Sequence, residues 1–517
     1  MGGVFLYRTL ILIPSVMTRL SIILSLACLL SMVSCADSDL KVEVPMKSTG
    51  VQLIGNGVEL DPHFFSQNIT RNDGAVEEDW YNVVVPRVKA MGIQRFRVML
   101  QPHWWEPYND NDDPYVMDAS KLTLDSPEVN SVLKVLDLAE EVGGDVTLVL
   151  WGCPLSANSM DPEIGYIGRH FMVNPDCYSW VTLCADEQEF AENFITFVEW
   201  LVKEKGYDCV REITPYNEPD GAVSPLEPYY KVCKALDSRL RKHGLRDRIR
   251  LNLSDNTDCR RWYLRGCVRN LSEEADLFNS HTYIFGYDDP NRKALNWERR
   301  NVRLAQKAGK KHFVGEFGSD MCRGASRQLD INWYERGVLI VRNAINFLNA
   351  GAAGFSYWGL LDQYYGAWED YAQMQQLGLW RYKENAYMPE DLAEGIEGDY
   401  AVRPQYFAYS LLTRFIRKYS WVYPLDLKDQ YVAGTAVVDG DCRWTYVFAN
   451  ATDKSRSLDL VNPWNGAMSD CDVYVYSESS LPSDDSMLAP VGVLSPEGGV
   501  FNVEIPAESV VLLRQRN

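Results

Sequence analysis

Two of the 71 acidic residues stand in contexts that single them out. Glu218 closes a β-rich run, Glu212-Ile-Thr-Pro-Tyr-Asn217, and is followed by Pro219, which fixes φ and stops the strand from running on. Glu316 closes a second such run, Lys311-His-Phe-Val-Gly-Glu316, ahead of Phe317 and Gly318. Two carboxyls delivered from different strand ends into one pocket can split an acetal between them. One protonates the leaving oxygen and the other meets the oxocarbenium-like carbon; at about 5–5.5 Å apart the second acts as nucleophile and configuration is retained. That chemistry is glycoside hydrolysis, with Glu218 the expected acid/base and Glu316 the expected nucleophile. Asn217 stands where a sugar 2-OH would need a partner. Such a mechanism asks for no metal and no cofactor. The chain carries no phosphate loop, nucleophile elbow, H-E-x-x-H or Cys/His cluster that would ask for one.

The elements that must position these residues follow from the pattern around them. Eight short β-rich segments recur, at 51–59, 94–100, 145–151, 212–216, 248–253, 276–283, 312–316 and 354–358. Helical periodicity fills several of the intervals, as at 187–205, 228–243 and 333–350. Eight strands alternating with helices predict an α/β fold, the (β/α)8 TIM barrel, whose C-terminal strand ends carry the chemistry. The loops after strands two, three and eight are long, at 102–122, 152–184 and 359–403, where such barrels build substrate sites. From about residue 420 the texture changes to short alternating strands with turn residues, at 431–438, 443–450, 472–476, 500–505 and 509–514. These predict a small C-terminal antiparallel β-sandwich. The expected division is therefore a signal peptide at 1–35, a tether at 36–49, a catalytic barrel at 50–418 and a sandwich at 419–517.

Taken in order, five elements resemble clan A of the glycoside hydrolases, and most closely family 5. They are Arg97 on strand two, Asn217-Glu218 on four, His281-Thr-Tyr283 on six, Glu316 on seven and Trp358 on eight. The resemblance covers residues 50–415. It implies that Tyr283 hydrogen-bonds the nucleophile, that Arg97 holds it ionised, and that Trp358 floors the sugar at the cleavage point. Strand three departs from the family: it ends Leu148-Val-Leu-Trp151 where family 5 carries a His, and Trp151 is expected to replace it as a stacking surface. Further candidates for substrate contact are His103 and Trp104 after strand two, Glu59 with Asp61 and His63 after strand one, and Tyr364, Tyr365 and Trp368 in the eighth loop.

Composition argues against nucleic acid and is compatible with a carbohydrate partner without selecting one. A formal net charge of −20 repels phosphate backbones. Fifteen Trp and 29 Tyr offer faces on which sugar rings stack, as well as core. At the N-terminus, Arg19 and the apolar run 20–30 precede Met32-Val33-Ser34-Cys35. That stretch resembles a bacterial lipoprotein signal, with Cys35 as the lipidated residue and Met17 as the start; an ordinary signal peptide is the alternative. The protein is thus expected to be exported. It would be anchored by lipid at the bacterial cell surface or the periplasmic face of the outer membrane, its one membrane contact. Cys177 with Cys184 and Cys259 with Cys267 are close enough to form disulfides there, and buried free thiols fit equally well. The competing functional reading is a surface glycan-binding protein on a catalytically decayed barrel.

Overall fold

The computed structural model describes residues 40–64, 76–106, 111, 113–150, 184, 186–220, 226–257, 260–323, 327–365, 373–384, 387 and 396–516. Eight parallel strands close into a barrel: Gly57–Glu59, Arg95–Leu100, Asp145–Leu150, Val210–Thr214, Arg250–Asn256, Leu277–Thr282, Lys311–Phe317 and Phe355–Tyr357. These are the eight segments expected from the sequence. Their near-continuous burial follows from being covered on both faces, by barrel core within and helices without.

Local chemistry starts the outer helices where the sequence says they should start. Ser126 caps Pro127–Glu141 by accepting from Val129 N at 3.1 Å, with Pro127 at the first helical position. Asp186 caps Glu187–Glu199 by accepting from the amides of Gln188 and Glu189. The last helix, Pro404–Phe415, locks the ring: Thr413 Oγ1 donates to Met91 O at 2.6 Å and the Tyr409 hydroxyl donates to Gly57 O. At the floor of the barrel Glu212 bonds Arg95 and lies 2.7 Å from Arg250. Burial alone would raise its pKa, but the two guanidiniums hold it below the usual carboxylate value.

The C-terminal region is a sandwich of two sheets. The larger has the order Trp421–Pro424, Val432–Val438, Trp444–Asn450, Ser509–Gln515, Cys471–Tyr476 and Gly492–Leu494. The smaller contains Arg456–Val461 and Phe501–Ile505 and gains a third strand from far away in sequence. Lys41–Glu43, in the stretch expected to be a tether, pairs in parallel with Arg456–Val461 and buries Val42. The sequence hides this because a three-residue strand has no readable period. The barrel helix Tyr334–Ala350 packs on the larger sheet: Tyr334 stacks on Tyr476 with centroids 4.8 Å apart, and Tyr476 donates to Tyr334 O at 2.7 Å. A side chain at Gly337 would strike the Tyr476 hydroxyl, so this close approach requires glycine there. Val437, Val447, Val510 and Leu512 join the barrel's own core cluster, so the sandwich is built into the barrel wall. Cys184 and Cys267 are free thiols.

Candidate active site

Glu218 and Glu316 meet at the C-terminal mouth of the barrel. After the fourth strand, Asn217 N donates to Leu150 O at 3.0 Å, holding the chain against strand three. Glu218 then takes a left-handed φ of 43°, and Pro219 follows. A non-glycine residue there costs about 1–3 kcal/mol, a strain that the surrounding structure must hold in place. On the opposite wall the pairing of strands six and seven slips between Ser280 and His281, and the slip sets His281 directly beside Glu316. Gly315 fits because a Cβ there would lie 2.6 Å from Asn279 Oδ1.

The two carboxyls share the His281 ring. Its Nδ1 is 2.7 Å from Glu218 Oε1 and 3.3 Å from Glu316 Oε2, and one oxygen of Glu218 lies within 4.8 Å of one of Glu316. Tyr283 donates to Glu316 Oε2 at 2.9 Å, and Arg97 Nη1 is 2.8 Å from Glu316 Oε1. Arg97 Nη2 also donates to Asn217 Oδ1 at 2.6 Å and to Asp255 Oδ2 at 2.8 Å. Trp358, buried at the end of strand eight and joined to Gly359 by a cis peptide bond, packs with Met99, Leu377 and Tyr283.

Electrostatics divide the groups into charged and neutral. Burial works against the charge on Arg97, but Asp255, Glu59 and Glu316 raise its pKa well above the usual value. Burial likewise opposes the His281 imidazolium, and Glu316, Asp255 and Glu218 more than compensate. Asp255 is held down at about 2: its burial is outweighed by Arg97 and then His281. Glu59 is pushed well up by burial, with Arg97 pulling the other way and Asp61 and Glu316 adding to the rise. Burial lifts Glu316 to about 7 against the pull of His281 and Arg97. The cations Arg97 and His281 thus face the Asp255 carboxylate and, above about pH 7, an ionised Glu316, while burial shifts Glu59 toward its neutral form. Glu218, Glu316 and His281 also form a geometric metal triad, but an imidazolium with both nitrogens facing carboxylates has no lone pair to offer an ion.

The structure brings Arg97, Asn217, Glu218, His281, Tyr283, Glu316 and Trp358 together. Glu59, expected to meet sugar hydroxyls, is instead buried behind Arg97: its Oε2 lies 2.8 Å from Arg97 Nη1, the same nitrogen that faces Glu316. Asp61 is buried too, accepting from Met99 N and Gln363 Nε2. Trp104, expected in a subsite, is buried in the hydrophobic core, since the turn Pro102–Trp104 folds inward. Its neighbour Trp105 stacks on Phe197 with centroids 4.1 Å apart. The backbone of His63, His103, Tyr364 and Tyr365 is described but their side chains are not; Trp151, Trp368 and Cys35 lie outside the described residues. Most of the expected third loop and parts of the eighth lie outside them as well.

Asp255 is the residue the sequence reading missed. It sits at the end of strand five with φ of 46°, after Ser254 at 83°, and holds both Arg97 and His281. The available signal was the polar Ser254-Asp255-Asn256 closing an apolar run at the catalytic end of a barrel strand.

Solved structures with the same architecture were found, although no protein-family profile and no curated protein matches the chain. A family 30 endoxylanase from Clostridium papyrosolvens aligns over 92% of this chain and 100% of its own, with a TM-score of 0.62 and 14% identity. The catalytic domain of the family 30 xylanase C from Talaromyces cellulolyticus aligns over 92% and 100%, with a TM-score of 0.63 and 14% identity. A family 51 arabinofuranosidase from Xanthomonas axonopodis aligns over 92% and 99%, with a TM-score of 0.58 and 14% identity. The fold is one that these glycoside hydrolases share. The alignments include the sandwich as well as the barrel, and these three structures belong to families 30 and 51, whereas the sequence motifs resemble family 5 most closely.

Proposed function

We propose that the protein is a retaining glycoside hydrolase that cleaves β-glycosidic bonds of a polysaccharide or an oligosaccharide derived from one. The observation that carries this reading is the approach of one oxygen of Glu218, just after strand four, to within 4.8 Å of one of Glu316 on strand seven, in unlike environments. Glu218 gives its proton to the leaving oxygen as Glu316 attacks the anomeric carbon, forming a glycosyl ester and releasing the aglycone alcohol. Glu218, now a carboxylate, takes a proton from water. The water oxygen opens the ester and restores both groups. Arg97 and Tyr283 orient Glu316 for attack and hold its charge. The contacts of Arg97 and Tyr283 with Glu316, and of His281 with both carboxyls, support catalysis over a decayed, binding-only barrel. A panel of aryl β-glycosides and polysaccharides with NMR of the first-formed anomer tests the assignment. Retained configuration on any member supports it; inverted product, or no turnover across the panel, overturns it.

Export and lipid attachment at Cys35 belong to the same proposal, supported by the Met17-to-Cys35 leader. Palmitate labelling that disappears in Cys35→Ser supports the anchor, and labelling that persists contradicts it.

A further inference from the structure

Away from the mouth, one face of the barrel departs sharply from the acidic character of the chain. The helix after strand five, Arg261–Asn270, carries three arginines and no acid. The helix after strand six, Asn291–Lys307, packs beside it and carries six cations against one acid, Glu298, which is buried on His312. Arg265, Arg269, Arg292, Arg300, Arg303 and Lys307 are exposed, with no ion pair among the described residues. All this sits on a protein of net charge −20. The like charges are crowded: Arg261 is held below its usual pKa by burial and then by Arg300 and Arg265.

The face is also shaped. A groove of about 460 Å³ opens over Arg292, Lys293, Asn296, Trp297 and Arg300. Arg261 lies 3.7 Å over the Trp297 ring and bonds Asn301 Oδ1 at 2.7 Å, which fixes the indole in the wall. Because a barrel helix starts at the catalytic end of the preceding strand, this groove opens at the end of the barrel that holds His281 and Tyr283.

We propose that this two-helix face binds an acidic polysaccharide, a glycan bearing carboxylates or sulfates, and holds it beside the mouth; the inference rests on the glycosidase reading above. Guanidiniums pair with carboxylate and sulfate in bidentate fashion, and an indole edge between them suits a sugar ring. A neutral glycan gives such a row of charges no purpose. A lipid surface asks for several projecting apolar side chains, and on these helices Trp262 alone among the large hydrophobics is exposed.

Affinity electrophoresis of the full chain tests this, in gels containing polygalacturonate, chondroitin sulfate or neutral galactomannan. Wild type is expected to be retarded by polygalacturonate, chondroitin sulfate or both, and not by galactomannan, with release at about 0.5 M NaCl. The two acidic gels separate carboxylate from sulfate recognition. The triple variant Arg292→Gln, Arg300→Gln, Arg303→Gln, all at exposed positions, should bind about tenfold or more weakly. Its melting temperature and aryl-glycoside turnover should not change. No retardation in either acidic gel, equal retardation of the variant, or capture by phosphatidylglycerol vesicles that the variant abolishes overturns the proposal. The gel reads binding alone. A chain that is retarded but hydrolyses nothing sinks the glycosidase reading, and one that hydrolyses without being retarded sinks this inference.

Discussion

Asp255 Oδ1 lies 3.2 Å from Nε2 of His281, at the opposite edge of the imidazole from Glu218. Together with Glu316, the larger contributor, this buried carboxylate raises the pKa of the ring between the two proposed catalytic acids, and Asp255 takes a left-handed backbone there, as does Ser254.

Asp255→Asn should therefore disturb the site without touching substrate. We expect kcat/KM to fall about 10- to 100-fold, as for loss of a supporting partner at a catalytic site. The His281 imidazole should also titrate nearer its ordinary value in an NMR titration. An unchanged titration with a lower melting temperature would assign Asp255 a purely structural role.

Glu218→Ala should lose about 100-fold or more in kcat/KM on substrates with poor leaving groups. With activated aryl glycosides and azide, turnover should return and the product should be the glycosyl azide of retained configuration. Failure of azide to restore turnover, with the fold intact, would remove Glu218 from the acid/base role.

The acid limb of kcat/KM should lie near neutrality. Glu316 must be ionised to attack, and burial raises it to about 7, so activity should drop about tenfold per pH unit below that value. Arg97 is one of the charges pulling Glu316 down, so Arg97→Met should move the limb further alkaline. A limb near the value of a free glutamate, or one indifferent to Arg97, would contradict the charge balance described.

Glu106 offers a prediction about stability. It is buried, accepts from Asn193 Nδ2 at 2.8 Å, and sits with Glu189 and Glu192 in a cluster whose carboxylate oxygens lie within 4.8 Å. Burial, then the charge of Glu192, raises it to about 8. A carboxyl raised on folding stabilises fully below its unfolded pKa and loses that contribution as pH climbs through the folded value. Glu106→Gln should thus gain stability relative to wild type between about pH 4.5 and 8, by roughly 3–5 kcal/mol in denaturant melts. A difference that does not vary with pH would contradict this.

The sequence carried the barrel because its strands are short apolar runs alternating with amphipathic helices, and it carried the candidate pair because Asn217-Glu218-Pro219 and Gly315-Glu316 end such runs. It did not reveal which polar residues face inward. Glu59 and Trp104 have types suited to sugar contact, yet Glu59 is buried against Arg97 and Trp104 is buried in the core. Asp255 escaped because its conformation is non-extended while its neighbours read as strand. Lys41–Glu43 escaped because its partner strand lies at the other end of the chain.

The most direct measurement is mass-spectrometric mapping of the protein after incubation with activated 2-deoxy-2-fluoro-β-glycosides of glucose, xylose, mannose and galactose. The account predicts a single covalent sugar on the peptide containing Glu316, absent in Glu316→Gln. An adduct on another residue, or one that persists in that variant, would contradict it.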